Sequence, residues 1–253
     1  MAGSVQKHTA LVTGGARRIG KAIALDLAKH GHNVIVHYHG SSAEADAVVK
    51  AITSEGGRAT SISADLADPN AVASLIEKAT SLAGRPITAL INNASLFGHD
   101  TIDTFTHESW TEHMTVNTYA PLALSQTFYK ALPQDAKGAI INMIDQRVWK
   151  LTPDFMTYTV SKAALWTLTQ TLAQALAPAI RVNAIGPGPV LPSIHQKSGE
   201  FEVESANVPL QKGPELAEIC NTVRFLLETP SMTGQMIALD GGQHLNWQTP
   251  DIC

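Results

Sequence analysis

Seven short apolar, largely β-branched runs punctuate the chain: "TALVT" (9–13), "NVIVHY" (33–38), "ATSIS" (59–63), "ITALINN" (87–93), "GAIINMI" (138–144), "IRVNAI" (180–185) and "QMIALD" (235–240). Between them lie stretches with helical spacing, including one near 18–30, one over "SAEADAVVKAITSEG" and one starting near Pro69. Strands apolar on both faces, separated by helices, predict a parallel sheet covered on both sides. The expected fold class is α/β, a doubly wound sheet in a single domain spanning 1–253, since no composition shift or internal repeat divides the chain. One segment breaks the alternation. Residues 186–213, "GPGPVLPSIHQKSGEFEVESANVPLQKG", are rich in Pro, Gly and Ser. A connection of that length is expected to be a lid, a binding loop or a disordered segment.

Composition changes this picture little. The 253 residues are enough for a sizeable core. Hydrophobic content is 44% and charged content 16%, the balance of a soluble globular protein. A formal charge of −4 argues against broad binding to nucleic acid. No apolar run approaches the ~18 residues of a membrane span, and "MAGSVQKH" lacks a signal peptide's apolar core. The two cysteines, Cys220 and Cys253, are too few for a disulfide framework or a metal cluster, and Cys220 reads as helix packing. A cytoplasmic, reducing setting without metal is expected.

Candidate chemistry begins at "TALVTGGARRIGKAIA", a strand, a glycine turn and a helix start. Gly14 permits the turn, Gly20 lets the helix approach the sheet, and the helix N-terminus offers free N–H groups to a pyrophosphate. Glycines alone are a weak signal, but their place after the first strand is what a dinucleotide fold requires. NAD sites usually carry Asp or Glu about 20 residues on, for the ribose 2′-OH. Here the second strand ends "VHYHGSSAEA", with His37, Tyr38, His39 and Ser41 and no carboxylate before Glu44. Together with Arg17 and Arg18 in the turn, that set favours the 2′-phosphate of NADP over NAD. Asp65, after the third strand, either accepts from an adenine or caps the next helix. "NNA" (92–94), holding Asn93 and Ala94, ends the fourth strand beside the same crevice.

The second centre is "INMIDQRVWKLTPDFMTYTVSKAAL" (141–165). Tyr158 and Lys162, four apart, share a helix face. A tyrosine of pKa about 10 is a poor acid–base at neutral pH. The nearby ammonium is expected to lower that value and also to hold the nicotinamide ribose. A chance pair on a helix surface is the plainer alternative.

"TGGARRIG", "NNAS", Asn117, "YTVSK", "NAIGPGPV" and "LDGG" occur in the order and spacing of the short-chain dehydrogenase/reductase family, which the chain resembles from Thr9 to about Leu245. The resemblance implies a Rossmann-type domain with a seven-stranded sheet. It also implies hydride transfer from a nicotinamide, with Tyr158 as proton donor, Lys162 as its modulator and Asn117 supporting a relay. Ile19, Leu66, Ser95, Pro187 and Gly188 join the implied NADP(H) contacts. Two departures narrow the match: Asp145 stands thirteen residues before the tyrosine where most of the family has Ser, and Arg18 stands where most has a second Gly. With "VHYHGSSAEA" and "NNASLF", these resemble the pteridine reductase and dihydromonapterin reductase branch. By that resemblance Phe97 stacks a flat pterin, Ser95 and Arg18 bond to it, and Asp145 with Tyr158 relays a proton to a ring nitrogen. That branch often has Arg where this chain has Gly40. Leu191, Pro192, His195 and Trp149 are further candidates for the pocket wall. Relatives are mostly homotetramers, built through helices near 107–132 and 157–177.

Three readings follow: an NADPH-dependent dihydropterin reductase; a carbonyl reductase acting on a 3-oxoacyl thioester or a sugar ketone; and a non-catalytic NADP-binding sensor. Asp145 separates the first two, and the intact Asn117, Tyr158 and Lys162 weigh against the third. The fold alone cannot choose.

Overall fold

A computed structural model describes residues 7–192 and 198–247. The strands are β1 (Thr9–Val12), β2 (Asn33–Tyr38), β3 (Arg58–Ser63), β4 (Ala89–Asn92), β5 (Gly138–Met143), β6 (Ile180–Pro187) and β7 (Met236–Leu239). They form one seven-stranded sheet in the order β3-β2-β1-β4-β5-β6-β7, with every pair parallel. Around it lie α1 (Arg18–Lys29), α2 (Ser42–Ser54), α3 (Pro69–Ala83), α4 (His107–Met114), α5 (Ala120–Ala131), α6 (Met156–Leu176), α7 (Glu200–Ala206) and α8 (Leu216–Glu228). No helix among the described residues is long and apolar enough to cross a membrane.

The strand alternation builds two cores. Ala10, Val12, Val34, Val36, Ala89, Ile91, Ala139 and Ile141 face one side, against α1, α2 and α8. Their neighbours Leu11, Ile35, Leu90 and Ile140 face the other, against α3, α5 and α6. Successive residues of a strand point to opposite faces, so a sheet covered twice needs an unbroken apolar run. At roughly 25 cal/mol per Å² of apolar surface, a fully buried Leu or Ile such as Leu11 or Ile35 contributes about 2 kcal/mol.

Helix ends follow local chemistry. The Asp68 side chain accepts from Asn70 N and so caps α3, which has Pro69 in its first turn and Gly84 at φ 64° beyond its end. The helix expected near Pro69 therefore starts there, but its cap is Asp68 and not Asp65. The described parts of the segment 186–213 include regular elements. β6 extends to Pro187, and α7 lies within the segment. Its base is closed where Gly213 runs against the Pro189 carbonyl, so near that a Cβ at 213 would lie 2.1 Å from it. His195 and Cys253 lie outside the described residues.

Candidate active site

β2 and β4 flank β1, so the connections leaving β1 and β4 diverge to opposite faces of the sheet. That divergence opens a crevice at the strands' C-terminal ends, where doubly wound sheets bind ligands. A cleft of about 570 Å³ lies there, lined among others by Gly14, Arg17, Arg18, Ile19, His37, Tyr38, His39, Ser41, Asp65, Leu66, Asn93, Ala94 and Ser95. The structure thus brings most of the expected cofactor residues to one place. α1 points its first turn at the cleft with no side-chain cap and no acidic residue there, leaving amide N–H groups and the positive dipole end for a phosphate. Arg17 and His39 are exposed at its edge. No carboxylate stands at the end of β2, and Ser41 is the residue before α2. These donors fit a nicotinamide dinucleotide carrying a 2′-phosphate.

Several of these residues brace the cleft rather than face into it. His37 is 2% exposed. Its Nδ1 accepts from Gly14 N (3.1 Å), and its Nε2 donates to Ala64 O (3.1 Å). Burial pushes its pKa down to about 4, so the ring is neutral and the cationic role expected of it fails. Asn93 is spent in the same way: its Nδ2 donates to Thr13 O (2.9 Å) and lies 3.3 Å from Gly14 O. Thr13, which pattern reading passes over, accepts at Oγ1 from Asn93 N and Ala94 N, stitching β1 to β4. Asp65 closes a turn by accepting from Ala67 N (2.8 Å). Arg18 adopts φ 52°, the left-handed region that a glycine takes freely and an arginine takes at a cost of about 1 kcal/mol. Its guanidinium donates to Pro192 O (2.8 Å) and Leu191 O (3.3 Å), so it clasps the loop after β6.

The second half of the site lies at the ends of β5 and β6. Tyr158 Oη donates to Asp145 Oδ2 at 2.9 Å. Lys162 Nζ donates to Met143 O at 2.8 Å and sits 5.8 Å from the Tyr158 ring centre. Tyr158 and Lys162 are 5% and 2% exposed, while Asp145 is only partly covered as a residue. Asp145 Oδ1 accepts from Arg147 N at 2.9 Å. Burial raises the Asp145 pKa and lowers that of Lys162 to about 8, where the Asp145 charge opposes the fall. Tyr158 reverses the expectation. Burial first, and then the Asp145 carboxylate, hold it well above the ordinary tyrosine value. Burial and the carboxylate that touches the phenol act in the same direction, and the ammonium, 5.8 Å from the ring centre, does not offset them.

Asn117 lies in a π-helical turn (Thr115–Tyr119) that joins α4 to α5. Such turns often mark functional sites. The Asn117 Oδ1 accepts from Leu96 N (2.8 Å) and lies 3.1 Å from Ser95 Oγ. Its Nδ2 donates to Leu96 O and Ser161 Oγ, both at 3.0 Å. Asn117 therefore ties the end of β4 to α6. Phe97 meets Tyr158 edge-on, with ring centres 4.8 Å apart. One face of Phe97 already stacks on Phe155 at 4.7 Å, so a planar ligand stacking on that face would displace Phe155. Phe155 escaped the sequence reading. It precedes α6 at φ 57°, and the Arg147 guanidinium lies 4.6 Å above its ring. A non-glycine residue at positive φ is a signal visible only in the backbone. Pro187 and Gly188 follow at the end of β6, where Gly188 N donates to Leu239 O and a Cβ at 188 would lie 2.7 Å from Asp240 Cα. Trp149 is 43% exposed and meets Trp166 and His244 edge-on.

Residues 8–202 match the short chain dehydrogenase family model. The FolM alternative dihydrofolate reductase 1 of Brucella canis, crystallised with NADP, is similar at 50% identity and a TM-score of 0.95, covering 100% of both chains. Its Brucella suis counterpart, also in complex with NADP, matches at 51% identity and a TM-score of 0.95, over 98% of this chain and 100% of that one. The 3-oxoacyl-(acyl-carrier-protein) reductase of Staphylococcus epidermidis is 32% identical over 94% of this chain and 99% of its own. The chain belongs to the short chain dehydrogenase family.

Proposed function

We propose that this short chain dehydrogenase is an NADPH-dependent reductase of a dihydropterin of the dihydrobiopterin, dihydromonapterin or dihydrofolate type. The observation that carries the reading is Asp145, where most of the family has serine, bonded at 2.9 Å to the Tyr158 hydroxyl. A carbonyl oxygen is polarised by a hydroxyl donor. A pterin ring nitrogen instead needs a proton as hydride arrives at the adjacent carbon. The two FolM dihydrofolate reductases, similar along the whole chain, support the same substrate class.

Bound NADPH supplies the hydride. Arg17 and the amides of the first turn of α1 would hold its phosphates, and Tyr38, His39 and Ser41 would border its adenosine ribose. Tyr158 stays protonated across the neutral range because of burial and its carboxylate neighbour. Asp145, raised by burial, accepts the phenolic hydrogen bond and shares the phenolic proton. A proton delivered from this pair to a ring nitrogen is then replaced from water. Lys162 remains largely cationic below pH 8 and offsets the charge left on the pair. Phe97, edge-on to Tyr158, sets the wall against which a planar ring lies.

Carbonyl reduction is the second reading, supported by the 3-oxoacyl reductase relative. Exposed Trp110, Tyr119, Leu122, Tyr129 and Val160 on and between α4, α5 and α6 support assembly into a homotetramer. The deciding experiment follows NADPH oxidation with dihydrobiopterin, dihydromonapterin, dihydrofolate and an acetoacetyl thioester side by side, on the natural chain and on Asp145→Ser. Pterin turnover that falls about 100-fold in the variant is expected. Turnover of the thioester alone, or a variant with unchanged pterin kinetics, would sink the reading.

A further inference from the structure

A chain of buried polar groups beside Tyr158 takes no part in the chemistry above. It starts at Gly98, one residue past Phe97, whose N–H donates to His113 Nε2 at 3.2 Å. That nitrogen therefore carries the lone pair, and in a neutral imidazole the proton must sit on Nδ1. His113 Nδ1 lies 2.8 Å from Thr157 Oγ1, to which it donates. The Thr157 hydroxyl is then free to donate onward, and it does so to Asp100 Oδ2 in a short contact. Asp100 Oδ1 accepts from Thr157 N at 3.1 Å. Every donor in the chain faces an acceptor, in one direction. His113 and Asp100 are 5% and 3% exposed, and Thr157 is 1% exposed. Burial lowers the His113 pKa, which agrees with the neutral ring that the donors require.

The chain joins three elements that sequence keeps apart: the segment after β4, the end of α4 and the first turn of α6. α6 has no side-chain cap of its own, because Phe155 precedes it. The carboxylate of Asp100 takes that place from 57 residues upstream, where a negative charge also suits the helix dipole. Its two outer links bracket the site: Gly98 adjoins Phe97, and Thr157 adjoins Tyr158. The His113 ring also lies 6.1 Å from the Tyr158 ring.

We infer that Asp100, Thr157 and His113 form a positioning triad that fixes Phe97 against Tyr158 and so sets the width of the gap in which the substrate lies. None of the three touches the reacting atoms. The inference rests on the assignment of Tyr158 and Phe97 to the reaction, though not on the substrate being a pterin.

Thr157→Val keeps the volume and removes the link, whereas Thr157→Ser keeps the hydroxyl. With the substrate that the natural chain turns over fastest, pterin or thioester, Thr157→Val is expected to lower kcat/KM about 10-fold or more. NADPH affinity should stay within about twofold, and Thr157→Ser should keep most of the activity. Unchanged kcat/KM in Thr157→Val would overturn the triad. So would a parallel loss of NADPH affinity that Thr157→Ser fails to rescue. Should Thr157→Val not fold, nitrogen NMR of the natural protein decides: a protonated Nδ1 and a bare Nε2 on His113 are expected, and the opposite tautomer refutes the chain of donors. A protein that reduces only the thioester would end the pterin reading and leave this test intact.

Discussion

The two halves of the cleft are built on opposite principles. The half between β1, β2 and β4 is open, and what it offers a ligand is mostly backbone: the amides of the first turn of α1 and a turn held by Gly14. Two of its side chains, the buried His37 and the half-buried Asn93, are consumed in holding that backbone still. The half between β5 and α6 is more enclosed, and there the side chains themselves are aimed, with Tyr158 on Asp145 and Lys162 on Met143 O. Binding a long anionic cofactor needs fixed dipoles spread over a surface. Moving one proton needs few groups, desolvated and held in register.

Breaking the enclosed half should cost the most. Tyr158→Phe is expected to lower turnover about 1000-fold while leaving NADPH affinity nearly intact, as read by fluorescence titration beside single-turnover kinetics. Retained turnover would remove Tyr158 from the proton path. The open half should yield smaller and more selective losses. Arg17→Ala is expected to weaken NADPH binding about 10-fold and NADH binding much less, if its guanidinium meets the 2′-phosphate. Equal losses for both cofactors would move Arg17 to the pyrophosphate.

The bracing of the open half is tested by pH. His8, His32 and His37 are each pushed down to about 4, chiefly by burial. Above pH 6.5 the histidines are neutral in the folded and unfolded chain alike. Below it the unfolded chain takes up protons that the folded one resists until about pH 4, so stability falls over that window. For His37 the loss is about 2–3 kcal/mol. Thermal midpoints should therefore drop between pH 6.5 and 4, and less steeply in His37→Gln. Identical slopes would show that His37 titrates freely and belongs to the ligand surface after all.

Most of the fold was legible because its signals are local. "NVIVHY" became β2 residue for residue, and "GAIINMI" became β5 one residue shorter. An apolar run buried on both faces needs no distant information to be recognised. The site was legible where a motif's spacing sets its geometry, as with Tyr158 and Lys162 on one helix face. It was misread where a side chain's partner comes from far along the chain. His37 looked like a cation beside a phosphate, because nothing in "VHYHGSS" shows that Gly14 and Ala64 will claim both ring nitrogens. Phe155 and the His113–Thr157–Asp100 chain stayed hidden for the same reason, their contacts spanning dozens of residues.

Local pattern along the chain was enough for the sheet, the succession of strands and helices, the glycine turn and the presence of an acid, a phenol and an ammonium at the fifth strand's end. These follow from periodicity and short-range geometry. Only the tertiary structure decided which of those groups carry charge. The sign of the Tyr158 shift, the neutrality of His37 and the commitment of Asn93 all depend on what else was brought into an enclosed interior beside them. There burial disfavours the charged form, and the partners within reach decide how far.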